Sequence, residues 1–142
     1  MAADPFDLQR FVDAQRPVID AVRRELADGR KRTHWMWFVF PQFAGLGASP
    51  TSRRYAIGSI DEARAYLAHP VLGPRLVECV ELVNGIEGRT ALEIFGSPDD
   101  MKFRSCLTLF ELVSDDAAFG SALKRYFDGV RDRATLDLVA EG

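Results

Sequence analysis

The stretch GRKRTHWMWFVFPQF, residues 29–43, places Lys31, Arg32, Thr33 and His34 directly ahead of Trp35 and Trp37, the two tryptophans of the chain. A cation beside an indole can hold a phosphate or carboxylate while the ring stacks on a base or sugar face. His34 adds a group able to carry a proton near neutral pH. On an extended backbone Trp35 and Trp37 would share a face, and Trp37 is expected to be the more buried ring. Lys102 and Arg104 follow the helix-opening SPDD at 97–100, whose N-terminus could itself accept an anion. The ligand-site candidates are therefore Lys31, Arg32, His34, Trp35, Trp37, Lys102 and Arg104, and the ligand they suit is a small anionic or nucleotide-like molecule.

Three other readings of the same residues stay open. Cations after a helix-breaking glycine stabilise a helix C-terminus by a few tenths to about 1 kcal/mol, so the stretch could be a helix end entering a core. A small hydrolase or transferase would use His34 as acid or base, with Lys31, Arg32 or Lys102 stabilising developing charge. A protein-interaction domain would expose aromatic surface near Phe43 and Leu46. Arg53 and Arg54 follow the GLGASP loop, and His69 is the other near-neutral proton carrier.

More familiar chemistry is not encoded. His34, His69, Cys79 and Cys106 fall in no zinc spacing, so no metal site is expected, and no cofactor motif is present. Asp99 with Asp100, and Asp115 with Asp116, stand at helix starts, where capping accounts for them. SALK at 121–124 has the S-x-x-K spacing without its companion motifs. GLGASP at 45–50 lacks a preceding strand, and Pro50 is expected to interrupt any helix after it; the loop reads as a connection able to cover a site. Cys79 and Cys106 lie inside apolar patterns and are expected to be reduced and buried.

These residues must be positioned by helices. At 142 residues, 47% apolar and 27% charged, the chain has the size and composition of one globular domain, residues 1–142. Its formal charge of −3 and pI near 5.4 supply no general attraction to phosphate backbones, so strong nucleic-acid binding is not expected. MAADPFDLQR has no secretory pattern and no run reaches the roughly 18 apolar residues of a membrane span, so a cytoplasmic protein is expected.

Helix punctuation recurs throughout. Asp4 with Pro5 opens a first helix, and Val18, Val22 and Leu26 recur every four residues in a second, with Arg23, Arg24 and Glu25 on other faces. SIDE at 59–62 and TALE at 90–93 are capping boxes. His69 before Pro70 ends one helix, and Pro70 can open the next. Ser97 is expected to cap the helix carrying Phe103, Cys106, Leu107 and Phe110. SDD at 114–116 caps another, and Asp132 a last one. Only WFVF at 37–40 competes as a short strand. The expectation is an all-α fold, a single compact domain of about eight helices, oligomeric state undetermined.

The blocks GRKRTHWMWFVFPQFAGLG, YAIGSIDEARAYLAHPVLGPRL and IFGSPDDMKFRSCLTLFELV resemble the bacterial family catalogued as domain of unknown function 1810, often labelled calpastatin. The resemblance spans nearly the whole chain and implies a single-domain all-helical fold, with no catalytic set to carry over. The calpastatin label finds no support, because calpastatin repeats are disordered and this composition is not.

Overall fold

The computed structural model describes residues 3–141 and contains ten helices among them. They are α1 (Gln9–Gln15), α2 (Ile19–Ala27), α3 (Met36–Val39), α4 (Pro50–Arg54), α5 (Ile60–Ala68), α6 (Leu72–Asn84), α7 (Ala91–Phe95), α8 (Asp99–Glu111), α9 (Ala117–Phe127) and α10 (Arg133–Glu141). The count exceeds the expected eight because α3 and α4 are single turns that carry no amphipathic period. WFVF is the first of these turns, not a strand. Among the described residues the only β pairing is an isolated parallel bridge between Phe43 and Ile57.

Helix α8 is the centre. Phe103 and every residue from Ser105 to Phe110 are buried, so its C-terminal half is enclosed, and it packs against α7, α9 and α10. Helix α6 packs against α2, α5 and α9 and buries Leu72, Leu76, Cys79, Val80 and Val83. One continuous core runs from Phe11 of α1 to Leu123 of α9. Within it Phe103 meets Phe40 and Phe95 at centroid distances of 5.0 and 4.7 Å. Both cysteines are free and buried, as expected.

The caps show where local sequence rules hold. Thr90 and Glu93 form the complete capping box of α7. Asp116 caps α9, and Asp132 accepts from the backbone N–H and hydroxyl of Thr135 at the start of α10. Others differ from expectation. The Asp4 carboxylate accepts from Leu8 and Gln9, so α1 begins four residues later than Pro5. Ser59 caps α5, but Glu62 turns instead to the Gly58 N–H and Arg10. His69 ends α5 as expected, and its Nδ1 accepts from Val71 and Leu72, so the imidazole opens α6 in place of Pro70. Ser97 does not cap α8; the Ser97–Pro98 peptide is cis and Pro98 is the N-cap. Pro50, expected to interrupt a helix, is the first residue of α4, capped by the Ser49 hydroxyl.

Candidate functional site

The RKRTHW segment is shaped by Glu25. Residue 25 lies three after Val22 and therefore on the buried stripe of α2, not on an outward face. After α2 the chain reverses at Gly29, whose φ of +78° suits glycine. The Glu25 carboxylate, only 5% exposed, then accepts four hydrogen bonds. They come from the backbone N–H groups of Arg32 (2.6 Å) and Thr33 (2.9 Å), the Thr33 hydroxyl (2.6 Å) and the Trp35 indole Nε1 (3.1 Å). Burial alone pushes this carboxyl upward; the hydrogen bonds outweigh it and hold the group down to about 2. Glu25 is thus a fixed anion that folds the segment, with no capacity left to act as a base. Lys31 N–H donates to the Ile94 carbonyl at 2.7 Å, tying the segment to α7.

Trp35 and Trp37 go different ways because α3 begins at Met36. The backbone is helical, so the rings do not share an extended face. Trp35 is 1% exposed and packs against Phe40, whereas Trp37 is only half-buried. The expected order of burial is reversed: the indole that hydrogen-bonds a buried carboxylate is the inner one.

Lys31 and Lys102 converge on Asp99. Their ammonium groups lie 3.0 Å from its two carboxylate oxygens, Oδ2 and Oδ1 respectively. Lys31 Nζ sits 5.1 Å from the Trp35 ring centroid and Lys102 Nζ 4.1 Å from that of Trp37. Asp99, read from sequence as a cap, is the counter-ion of this pair. Burial pushes its carboxyl up, but the hydrogen bonds from Lys102 and Lys31 bring it below the ordinary value. Two cations against one carboxylate leave one net positive charge, and each ammonium retains donors that Asp99 does not use. The three side chains border a pocket of about 180 Å³ together with His34, Trp35, Trp37 and Thr51. His34 is exposed at its rim, and no described residue hydrogen-bonds its ring.

The other candidate cations stand apart. Arg32 turns to solvent and pairs with Asp28 at 3.0 Å. Arg104 pairs with Asp132 at 3.5 Å and lies 5.9 Å from the Phe127 centroid, where it joins α8 to the α10 cap. Arg54 Nε donates to the Tyr55 hydroxyl. Phe43 is buried and Leu46 half-buried, so these two residues do not themselves form the exposed surface that a protein-interaction domain would use.

A second cavity, of about 200 Å³, lies against Trp37 from the side of the 44–49 loop. The Phe43–Ile57 bridge closes the base of this loop, with Ala44 N–H donating to Ile57 O and Ile57 N–H to Gln42 O, both at 2.9 Å. Gly47 has no room for a side chain: a Cβ there would fall 2.6 Å from Ser52 Cβ and 3.1 Å from Trp37 Cη2. Arg53 lies at this cavity, away from Lys31 and Lys102. A larger concavity, about 950 Å³, is an open groove between α2 and α6. It carries Asp28, Glu78, Glu81 and Glu87 against a single Arg89, the wrong sign for an anion. Among the described residues no cluster of three or more metal-ligating side chains occurs. No helix among them is long and apolar enough to cross a membrane.

Comparison with known proteins places these features in a wider context. A family model described as "Protein of unknown function (DUF1810)" matches residues 5–139. The crystal structure of the conserved hypothetical protein Rv1873 from Mycobacterium tuberculosis superposes with a TM-score of 0.95. It is 56% identical, over 96% of this chain and 99% of that one. No curated protein matches the chain.

Proposed function

The chain belongs to the DUF1810 family of proteins of unknown function, and we propose that its pocket beside Trp37 binds a small anionic, nucleotide-like molecule. The observation that carries this reading is the pairing of two ammonium groups with indole rings beside one pocket, Lys31 with the buried Trp35 and Lys102 with the half-buried Trp37. Asp99 fixes the ammonium positions and cancels only one of the two charges. A phosphate or carboxylate accepting from their remaining N–H groups restores the balance. His34 supplies a further donor at the rim.

The pocket, at about 180 Å³, is smaller than the roughly 300 Å³ from which drug-sized sites begin, so it accommodates part of a nucleotide-sized ligand and not the whole. A thermal-shift screen of inorganic phosphate, sugar phosphates, small carboxylates and nucleoside phosphates tests the reading. A binder at a hundredfold excess over Kd adds about 2.7 kcal/mol of stability. The expected outcome is a stabilising phosphate or carboxylate compound whose effect is reduced in Lys102→Ala. A screen in which no anion stabilises the protein would contradict it.

A further inference from the structure

The buried polar groups of the second cavity point to what the rest of the ligand is. Gln42 lines that cavity, is 6% exposed, and its Nε2 has no hydrogen-bond partner in the protein. A buried amide donor left unmade costs about 1–3 kcal/mol, and buried polar side chains nearly always find a partner. The other buried polar side chain at the cavity, Ser52, is already satisfied: its hydroxyl donates to the Ser49 carbonyl at 2.8 Å. The walls are aromatic, formed by Trp37, Phe43 and Tyr55. Tyr55 is held in place by Phe11 and Phe38, at centroid distances of 5.8 and 5.3 Å. Arg10 secures the adjoining backbone by donating to the carbonyls of Arg54 (2.7 Å) and Ala56 (2.9 Å), and it is anchored by Glu62 at 2.8 Å.

We propose that this cavity is a ring-binding subsite in which the Gln42 carboxamide pairs with the edge of a nucleobase, while the phosphate of the same nucleotide lies at Lys31 and Lys102 across the Trp37 side chain. The inference rests on the anion reading above and specifies its ligand class. Three features select a planar heteroaromatic ring. The space of about 200 Å³ suits a single ring system, since a cavity of roughly 150 Å³ holds benzene. The aromatic walls favour a flat π surface. The unpartnered amide calls for a hydrogen-bond acceptor at the ring edge, and a carboxamide pairs two-fold with a base edge. Trp37 borders both cavities and Gly47 lets the loop close on its Cη2, so the indole is the element common to ring and phosphate.

The test is ligand-observed NMR and calorimetry on the full chain with three probe sets: the common nucleosides, their 5′-monophosphates, and inorganic phosphate. Gln42→Leu, Gly47→Ala and Lys102→Ala are compared with the unaltered protein. Gln42→Leu removes an amide with no protein partner for its Nε2 and should leave the apo fold intact, while Gly47→Ala presses on the cavity from the loop. The expected result is binding of at least one nucleoside that falls tenfold or more in Gln42→Leu and in Gly47→Ala and persists in Lys102→Ala. Its monophosphate should bind tighter and lose only that increment in Lys102→Ala. Binding of monophosphates and inorganic phosphate alike, unaffected by Gln42→Leu, would overturn the ring subsite and leave the anion reading standing. Nucleoside binding through Gln42 with no gain from the phosphate would support the subsite and remove the anion reading. Binding of none of the probes would mean a cavity that holds water only and would overturn both.

Discussion

Glu25 accepts a hydrogen bond from the indole nitrogen of Trp35 at 3.1 Å, across a reversal of the chain that both residues help to fix. The carboxylate is the acceptor for two backbone N–H groups, a hydroxyl and an indole, all from the four residues that precede α3. Lys31 and Trp37, on either side of this knot, inherit their positions from it.

Replacing Glu25 should therefore act on the site through the fold. Glu25→Ala leaves several buried donors unpaired and is expected to lower stability by about 3 kcal/mol or more, read by urea unfolding. Glu25→Gln keeps the shape but turns one acceptor into a donor among donors, and its loss should be smaller but clear. A change below about 0.5 kcal/mol in Glu25→Ala would show that the carboxylate is not what folds the segment.

Acid should undo the same knot. The folded Glu25 carboxyl titrates at about 2 against an ordinary value of 4.5, so the folded state favours its ionised form. A carboxyl depressed on folding contributes stability that is fully present above its unfolded value and lost as pH falls through the folded one. The contribution, roughly 3 kcal/mol at about 1.4 kcal/mol per unit, should disappear between about pH 4.5 and 2. Asp4, Glu93 and Asp99 are also lowered, so the comparison must be with Glu25→Gln. The difference in stability between the two proteins should shrink as pH falls through this window; a constant difference would contradict the assignment.

The thiols should be silent in the folded protein. Burial pushes Cys79 up to about 12 and Cys106 well above its ordinary value, and neither side chain reaches solvent. Ellman's reagent is expected to react with both only on unfolding. Rapid reaction of the native protein would place the α6 and α8 stripes wrongly.

What could be read from the sequence follows the range of the interactions. The Thr90–Glu93 box, the His69–Pro70 stop and the inward stripe of α6 depend on neighbours within a turn, and the pattern of residue types carries them. The turns α3 and α4 are too short to show a period, and Pro50, expected to interrupt a helix, starts one. Glu25 was legible in principle, since a glutamate three residues after Val22 sits on the apolar stripe; its type argued for solvent, and its spacing argued for burial. Asp99 was hidden differently. A carboxylate at a helix start has a local explanation in capping, and its partnership with Lys31 joins residues far apart in the chain. Convergence of Lys31 with Lys102, and divergence of Arg32 and Arg104, depend on α8 lying beside α3, which no local pattern encodes.

The two indole N–H resonances give the most direct measurement of the central claim, that the pocket beside Trp37 receives an anionic, nucleotide-like ligand. In a 1H–15N spectrum titrated with nucleoside monophosphates, the Trp37 indole signal should move saturably. The Trp35 signal, with its proton held by Glu25, should move less, and Lys102→Ala should weaken the response. Saturable shifts confined to the groove between α2 and α6, or none at millimolar nucleotide, would contradict the account.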